Sequence, residues 1–230
     1  MKCICNFGYA RTRRGSSHFP NVRNLLKYVQ FRDDRNDHIP GAGGPDRWVD
    51  GGLGDCYPRI LIRLDALSPA NPHAYCHSVI ISPDPQAMAE VEGDPHARFV
   101  EAVKATIDEW EEWRQAHDDR PQAGPIAYSF VVHRPERSYG EQMHAHLILA
   151  AATEDPVTGA ATPLYNNHQH MDAFKEIAYR QIDRAFGLDR EPQRADQEKP
   201  EITLDREYHP GREIEFLPFH DDRPAEGTGQ

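Results

Sequence analysis

The sequence predicts an α+β chain. Three observations carry that class. Two apolar, β-rich segments flank a turn-like run, a third such segment precedes them, and two longer segments repeat apolar residues at three-to-four spacing. At 230 residues the chain is long enough to bury a substantial core.

The elements follow in order. Residues 1 to 32 hold Lys2, Arg11, Arg13, Arg14, Arg23, Lys27 and Arg32 with no acid, although the whole chain carries a net charge of −11. That average argues against a general polyanion binder, whereas the basic segment supplies a local surface for phosphates; the competing reading is an ordinary solvated arm. His38 to Asp55 (HIPGAGGPDRWVDGGLGD) reads as a long loop, its glycines permitting positive φ and its prolines interrupting regular structure. Tyr57 to Leu67 is mixed, with an apolar-and-Arg alternation in RILIRL, and Cys76 to Ser82 (CHSVIIS) has the β-branched density of a strand.

Phe99, Val103, Ile107, Trp110 and Trp113 predict an amphipathic helix from Arg98 to about His117, with the tryptophans in the core. Ile126 to His133 and His144 to Ala151 read as paired strands joined through a turn containing Pro135 and Gly140. A second helix runs from near Asp172 to Phe186, and Gly187 followed by Leu188 predicts a Schellman stop. From Glu191 onward the chain is polar, Pro-rich and acidic, so residues 1–190 are expected to form the domain and 191–230 a weakly ordered tail whose ITL and IEFLPF patches can dock as edge strands. No apolar run reaches the ~20 residues needed to span a bilayer, and Met1 is not followed by a secretory pattern, so a cytoplasmic protein without membrane contact is expected. Cys3, Cys5, Cys56 and Cys76 lack C-x-x-C spacing and read as reduced thiols.

The chemistry concentrates in histidines. Period-two alternation puts His144 and His146 on one face of their strand. His133 closes the preceding strand, eleven residues earlier, and antiparallel pairing brings it to the same spot. Three neutral imidazoles without a fourth protein ligand leave open coordination positions, as a catalytic metal requires. The bland alternative is a chance H-x-H among 13 histidines. His168 and His170 repeat the spacing in a polar run before a helix and read as solvated or capping; His77 reads as a core or rim histidine.

The segment VVHRPERSYGEQMHAHLIL, with HSVIISPDP before it and FKEIAYRQIDRAFGL after it, resembles the nuclease domain of conjugative relaxases and mobilisation proteins, of the HUH endonuclease class. The likeness covers roughly Asn21 to Leu188. It implies a central antiparallel sheet flanked by helices, with an RRM/ferredoxin-like palm. It also implies a divalent ion on His133, His144 and His146: manganese or magnesium, with zinc, nickel and cobalt as further candidates. Single-stranded DNA at an origin of transfer would be nicked through a 5′-phosphotyrosine, alongside accessory mobilisation or coupling proteins. The family often has an asparagine soon after the H-x-H strand, where this chain has Ala150, Ala151 and Ala152. A helicase or primase region is also missing, so the expectation is a small mobilisation protein or part of a longer relaxase.

A phenol titrates near ~10, so a tyrosine nucleophile needs a cation or base nearby. Tyr28, in NVRNLLKYVQFRDDR, is flanked by Lys27 and Arg32, and its segment resembles the family's N-terminal helix with the catalytic tyrosine. Tyr9 is the second candidate, and a purely core role for Tyr28 among Leu25, Leu26, Val29 and Phe31 is the competing reading. Replication initiators of the same class carry the tyrosine after the histidines, which would make it Tyr179, although Asp183 stands where those proteins commonly have lysine. Asp84 is a candidate to orient a ligating histidine from the second nitrogen, or a turn residue between prolines. Two other classes stay open: a three-histidine metal hydrolase acting on a small molecule, and a catalytically silent DNA-binding module.

Overall fold

The computed structural model describes residues 4–10, 22–37, 48–71, 73–85, 88, 93–118, 122–133 and 143–188, all within the compact unit Met1–Arg190. Arg11, Arg13, Arg14, the turn through Pro135 and Gly140, and the expected tail 191–230 lie outside the described residues, as do the side chains of Tyr9 and Arg32.

The chain runs β1 (Ile4–Ala10), α1 (Val22–Asp37), β2 (Trp48–Gly51), α2 (Tyr57–Leu67), β3 (Cys76–Ser82), α3 (Pro95–His117), β4 (Tyr128–His133), β5 (His144–Ala150), β6 (Ala152–Glu154), β7 (Ala161–Pro163) and α4 (His168–Phe186). Five strands form one sheet in the order β1-β3-β5-β4-β2, with every neighbouring pair antiparallel, and β6 and β7 form a separate small ribbon. The H-x-H strand β5 is therefore central.

Because successive side chains alternate across a strand, each face of the sheet builds its own core. Val79, Ile81, Phe130, Val132, Leu147 and Leu149 pack with Phe99, Ile107 and Trp110 of α3 and Phe174 and Ile182 of α4. On the other face Cys76, Val131, Ile148 and Ala150 pack with Leu26 and Val29 of α1 and Ile60 and Leu64 of α2. Helices cover both faces, which fixes the register: a slip by one residue would send every apolar side chain to the wrong core.

Helix ends follow local chemistry. Asp94 caps α3 by accepting from the His96 N–H at 2.9 Å, ahead of Pro95. Asn167 caps α4 by accepting from the His170 N–H at 3.0 Å, and the His170 ring returns the favour by accepting from the Asn167 N–H at 3.1 Å. α4 thus begins at His168, four residues before the start read from periodicity. Gly187 adopts φ 66° and Leu188 donates its N–H to Asp183 O, the expected Schellman stop.

One expectation is corrected, the loop over His38–Asp55, and two segments that periodicity leaves without an element are assigned. Tyr57–Leu67 is helical, with Ile60, Leu61, Leu64 and Leu67 buried. The apparent alternation in RILIRL also satisfies a 3.6-residue period, and Pro58 in the first turn favours the helix. Within the expected loop His38–Asp55, Trp48–Gly51 is a strand on β4. Its exit is a tight turn in which Asp50 Oδ1 accepts from the Gly52 and Gly54 N–H groups at 2.7 and 2.8 Å; both glycines have positive φ. The basic segment, finally, includes a strand, β1, which among the described strands pairs with β3 alone and lies at the edge of the sheet.

Candidate metal centre

The register of the central hairpin decides the site. His133 lies directly opposite His144, and His146 lies opposite Val131 on one side and Ile80 on the other. All three rings occupy the sheet face covered by α1 and α2, because they share strand parity with Val131 and Ile148. Ring centroids are 5.2 Å apart for His133 and His144, 5.1 Å for His133 and His146, and 5.0 Å for His144 and His146. One nitrogen from each ring lies within 4.8 Å of the other two. His133 and His146 are buried and His144 is half-buried, so the cluster opens to one side.

This donor set fits a divalent cation. Three imidazole nitrogens are neutral, of intermediate softness and already convergent, and they leave further positions for oxygen ligands. Among the described residues no other group of three His, Cys, Asp or Glu side chains converges in this way.

Tyr28 reaches the cluster from a different element. Its ring stands edge-on to His146, with centroids 6.4 Å apart and planes at 85°. The placement follows from α1 itself, which seats Val22, Leu26 and Val29 in the core and leaves Tyr28 half-buried at the margin. Gln30 locks the helix at this height: its Oε1 accepts from Trp48 Nε1 at 3.2 Å and from the Tyr57 N–H at 2.7 Å. The second bond caps α2, whose own N-cap residue Cys56 contributes no side-chain bond. No sequence motif announced Gln30; its role depends on partners 18 and 27 residues away.

The remaining candidates sort by position. Lys27 is half-buried and holds its ammonium 5.6 Å from the Tyr57 ring centre, and Arg23 is exposed on α1. Asp84 is buried two residues beyond the end of β3, at the same end of the sheet as His144, where Ser82 Oγ donates to Met143 O at 3.1 Å. Tyr9 pairs in register with His77 on β3. Tyr179 packs against the α3/α4 core, on the opposite face from the histidines. His77 belongs to that opposite face as well, its Nε2 3.4 Å from Leu164 O, and burial pushes its pKa down to about 4. His170 caps α4 and also binds Asp118, while His168 is exposed.

No family model and no curated protein matches the chain. Solved structures do. The chain is similar to conjugative relaxase TrwC in complex with oriT DNA, in a metal-free structure, with TM-score 0.52 and 14% identity over 80% of this chain and 69% of that one. The metal-bound structure gives TM-score 0.51 and 14% identity over 80% and 70%. TrwC complexed with a 27-mer DNA comprising the recognition hairpin and the cleavage site gives 0.51 and 13% over 80% and 69%. At these identities the likeness is one of fold, and the α+β, antiparallel relaxase fold implied by the resemblance is the fold observed.

Proposed function

We propose that the chain is a metal-dependent DNA relaxase that nicks single-stranded DNA at an origin of transfer, with Tyr28 as nucleophile and His133, His144 and His146 as metal ligands. The observation that carries the reading is the Tyr28 ring standing 6.4 Å from that of His146, brought there from a helix more than a hundred residues away in sequence. A core tyrosine needs no such neighbour.

His133, His144 and His146 would hold the divalent ion, which when bound would supply Lewis-acid stabilisation of charge on the scissile phosphate. The chain's own residues do the rest. The Tyr28 phenol gives up its proton and its oxygen bonds to phosphorus as the bond from phosphorus to the 3′-oxygen breaks; the departing 3′-oxygen takes up a proton, leaving a 5′-phosphotyrosine and a free 3′-hydroxyl. The phosphodiester energy is kept in the covalent link, so attack by a 3′-hydroxyl reseals the strand without a nucleotide cofactor. Arg23 and Lys27 on α1, with Arg11, Arg13, Arg14 and Arg32, provide phosphate contacts that hold the strand in line. Asp84 orients a ligand histidine from the same end of the sheet. Accessory mobilisation or coupling proteins would deliver the DNA.

The test is a denaturing gel of wild type and Tyr28→Phe, each mixed with manganese and labelled single strands from the encoding element. The expected result is a labelled band at protein plus oligonucleotide mass, absent in the variant. An adduct that persists in Tyr28→Phe removes Tyr28 as the nucleophile and passes the role to Tyr9, because Tyr179 stands on the opposite sheet face from the histidines. Absence of any adduct, with metal bound, replaces the reading by a small-molecule hydrolase.

A further inference from the structure

A second polar site lies on the other face of the sheet, where α3 ends and α4 begins beside β7. A cleft of about 640 Å³ opens there, lined by Arg114, Asp118, Gln122, Tyr165 and His170 among others, within the size range of small-molecule sites. Arg114 is buried in its wall. One of its terminal nitrogens donates to Asn166 Oδ1 and the other to Tyr165 O at 2.9 Å, and it pairs with Asp118 at 2.8 Å while the guanidinium lies 4.9 Å from the Trp110 ring centre. Asp118 also accepts from His170, whose other ring nitrogen accepts the Asn167 N–H, so the His170 proton sits on Nε2. Arg114 and Asp118 cancel each other's charge, which leaves the cleft without an excess suited to an anion.

What remains unmade is hydrogen bonding. Among the described residues both atoms of the Gln122 amide are buried without a partner, as are Arg114 Nε and Asn166 Nδ2. Gln122 and Arg114 line the cleft and together bring one acceptor and two donors to it, with Asn166 directly behind as the acceptor of an Arg114 bond. Folded proteins rarely leave such groups unpaired without a use for them. A primary amide offers an adjacent donor and acceptor, the pattern that glutamine uses to bind the edge of a base in two places. The rings of Tyr165, His73 and His117 line the same cleft, and Trp113 backs His117 in a parallel stack with centroids 4.5 Å apart. Aromatic walls next to an amide edge suit a flat, neutral heterocycle.

We propose that this cleft binds a planar heterocycle of the nucleobase class, read on its edge by the Gln122 amide and stacked on its aromatic wall. The chemistry stands on the cleft alone; an unstacked base of single-stranded DNA as its source rests on the function proposed above, and a free nucleoside is the other source.

The experiment uses the full chain without metal, as wild type, Gln122→Leu and Tyr28→Phe. Adenosine, guanosine, cytidine and thymidine are titrated separately by calorimetry, and a fluorescein-labelled mixed-sequence single strand by anisotropy. At least one nucleoside binds wild type and Tyr28→Phe alike, and Gln122→Leu weakens it roughly tenfold, the loss expected for one or two hydrogen bonds. A comparable loss for the single strand identifies DNA as the source; an unchanged strand affinity identifies the free nucleoside. The thermal midpoint of Gln122→Leu stays level or rises, because an unpaired buried amide is replaced by an apolar side chain of similar size. The proposal is overturned if no nucleoside binds and the strand affinity is unchanged in Gln122→Leu, or if that substitution lowers the midpoint, which would mean the amide is already satisfied within the fold. Loss of the Tyr28-dependent adduct is a separate readout and leaves these binding results standing.

Discussion

His77 gives the pH dependence of this fold a specific origin. It is 5% exposed, between the sheet and the α3/α4 layer. Burial lowers its pKa from the ordinary 6.5 to about 4; the Leu164 carbonyl opposes that shift and the positive charge of Arg114 reinforces it. Between those two values the unfolded chain binds a proton that the folded chain refuses. The contribution is therefore complete above pH 6.5 and is lost as pH falls toward 4. At ~1.36 kcal/mol per pH unit the loss amounts to about 3 kcal/mol by pH 4. Urea unfolding followed by circular dichroism, from pH 7 to pH 4 at fixed ionic strength and without metal, measures it for wild type and His77→Leu. Leucine cannot titrate, so the stability difference between the two proteins should narrow or reverse by about 3 kcal/mol over that range, whatever its value at pH 7. Parallel pH profiles would refute the assignment, because they would show that His77 protonates equally easily in both states.

Three further outcomes test the architecture. Gly124→Ala should lower stability by about 1–3 kcal/mol in urea melts, because a Cβ there would sit 2.1 Å from the backbone oxygen of Glu154. An unchanged midpoint would show that the approach of β6 to the segment before β4 is looser than described. Asn71→Ala should cost at least about 2 kcal/mol in the same assay, since its side chain donates to Ala151 O at 2.7 Å and accepts from the His73 and Ala74 N–H groups at 2.9 and 3.1 Å, all of which would lose a partner. His146→Ala should reduce manganese affinity in calorimetry by more than the roughly 10–100-fold typical of losing an outer-shell partner. Binding that survives this change would move the metal elsewhere.

Much of the site was legible because its logic is local. Two histidines at i and i+2 of an apolar strand must share a face, whatever the strand packs against. A third at the end of the neighbouring strand joins them if the hairpin is antiparallel, and the observed register pairs His133 with His144. The same locality made α3, the paired strands β4 and β5, and the Gly187 stop readable, since period, chain reversal and positive φ are written in adjacent residues. The α2 segment was not, because six residues of apolar and basic alternation satisfy both a strand and a helix until a core selects one.

The sequence by itself therefore determined the α+β class, the shared face of His144 and His146, and the concentration of positive charge in residues 1 to 32. Tertiary structure alone decided that Tyr28 stands beside His146 and that Tyr179 does not, because that choice depends on which sheet face each helix covers. It also decided that Gln30 seats α1 against β2 and α2, and that Arg114, Asp118, Gln122 and His170 share one cleft. The physical reason is the same in each case: periodicity assigns a side chain to a face, but only long-range packing and hydrogen bonding determine what that face meets.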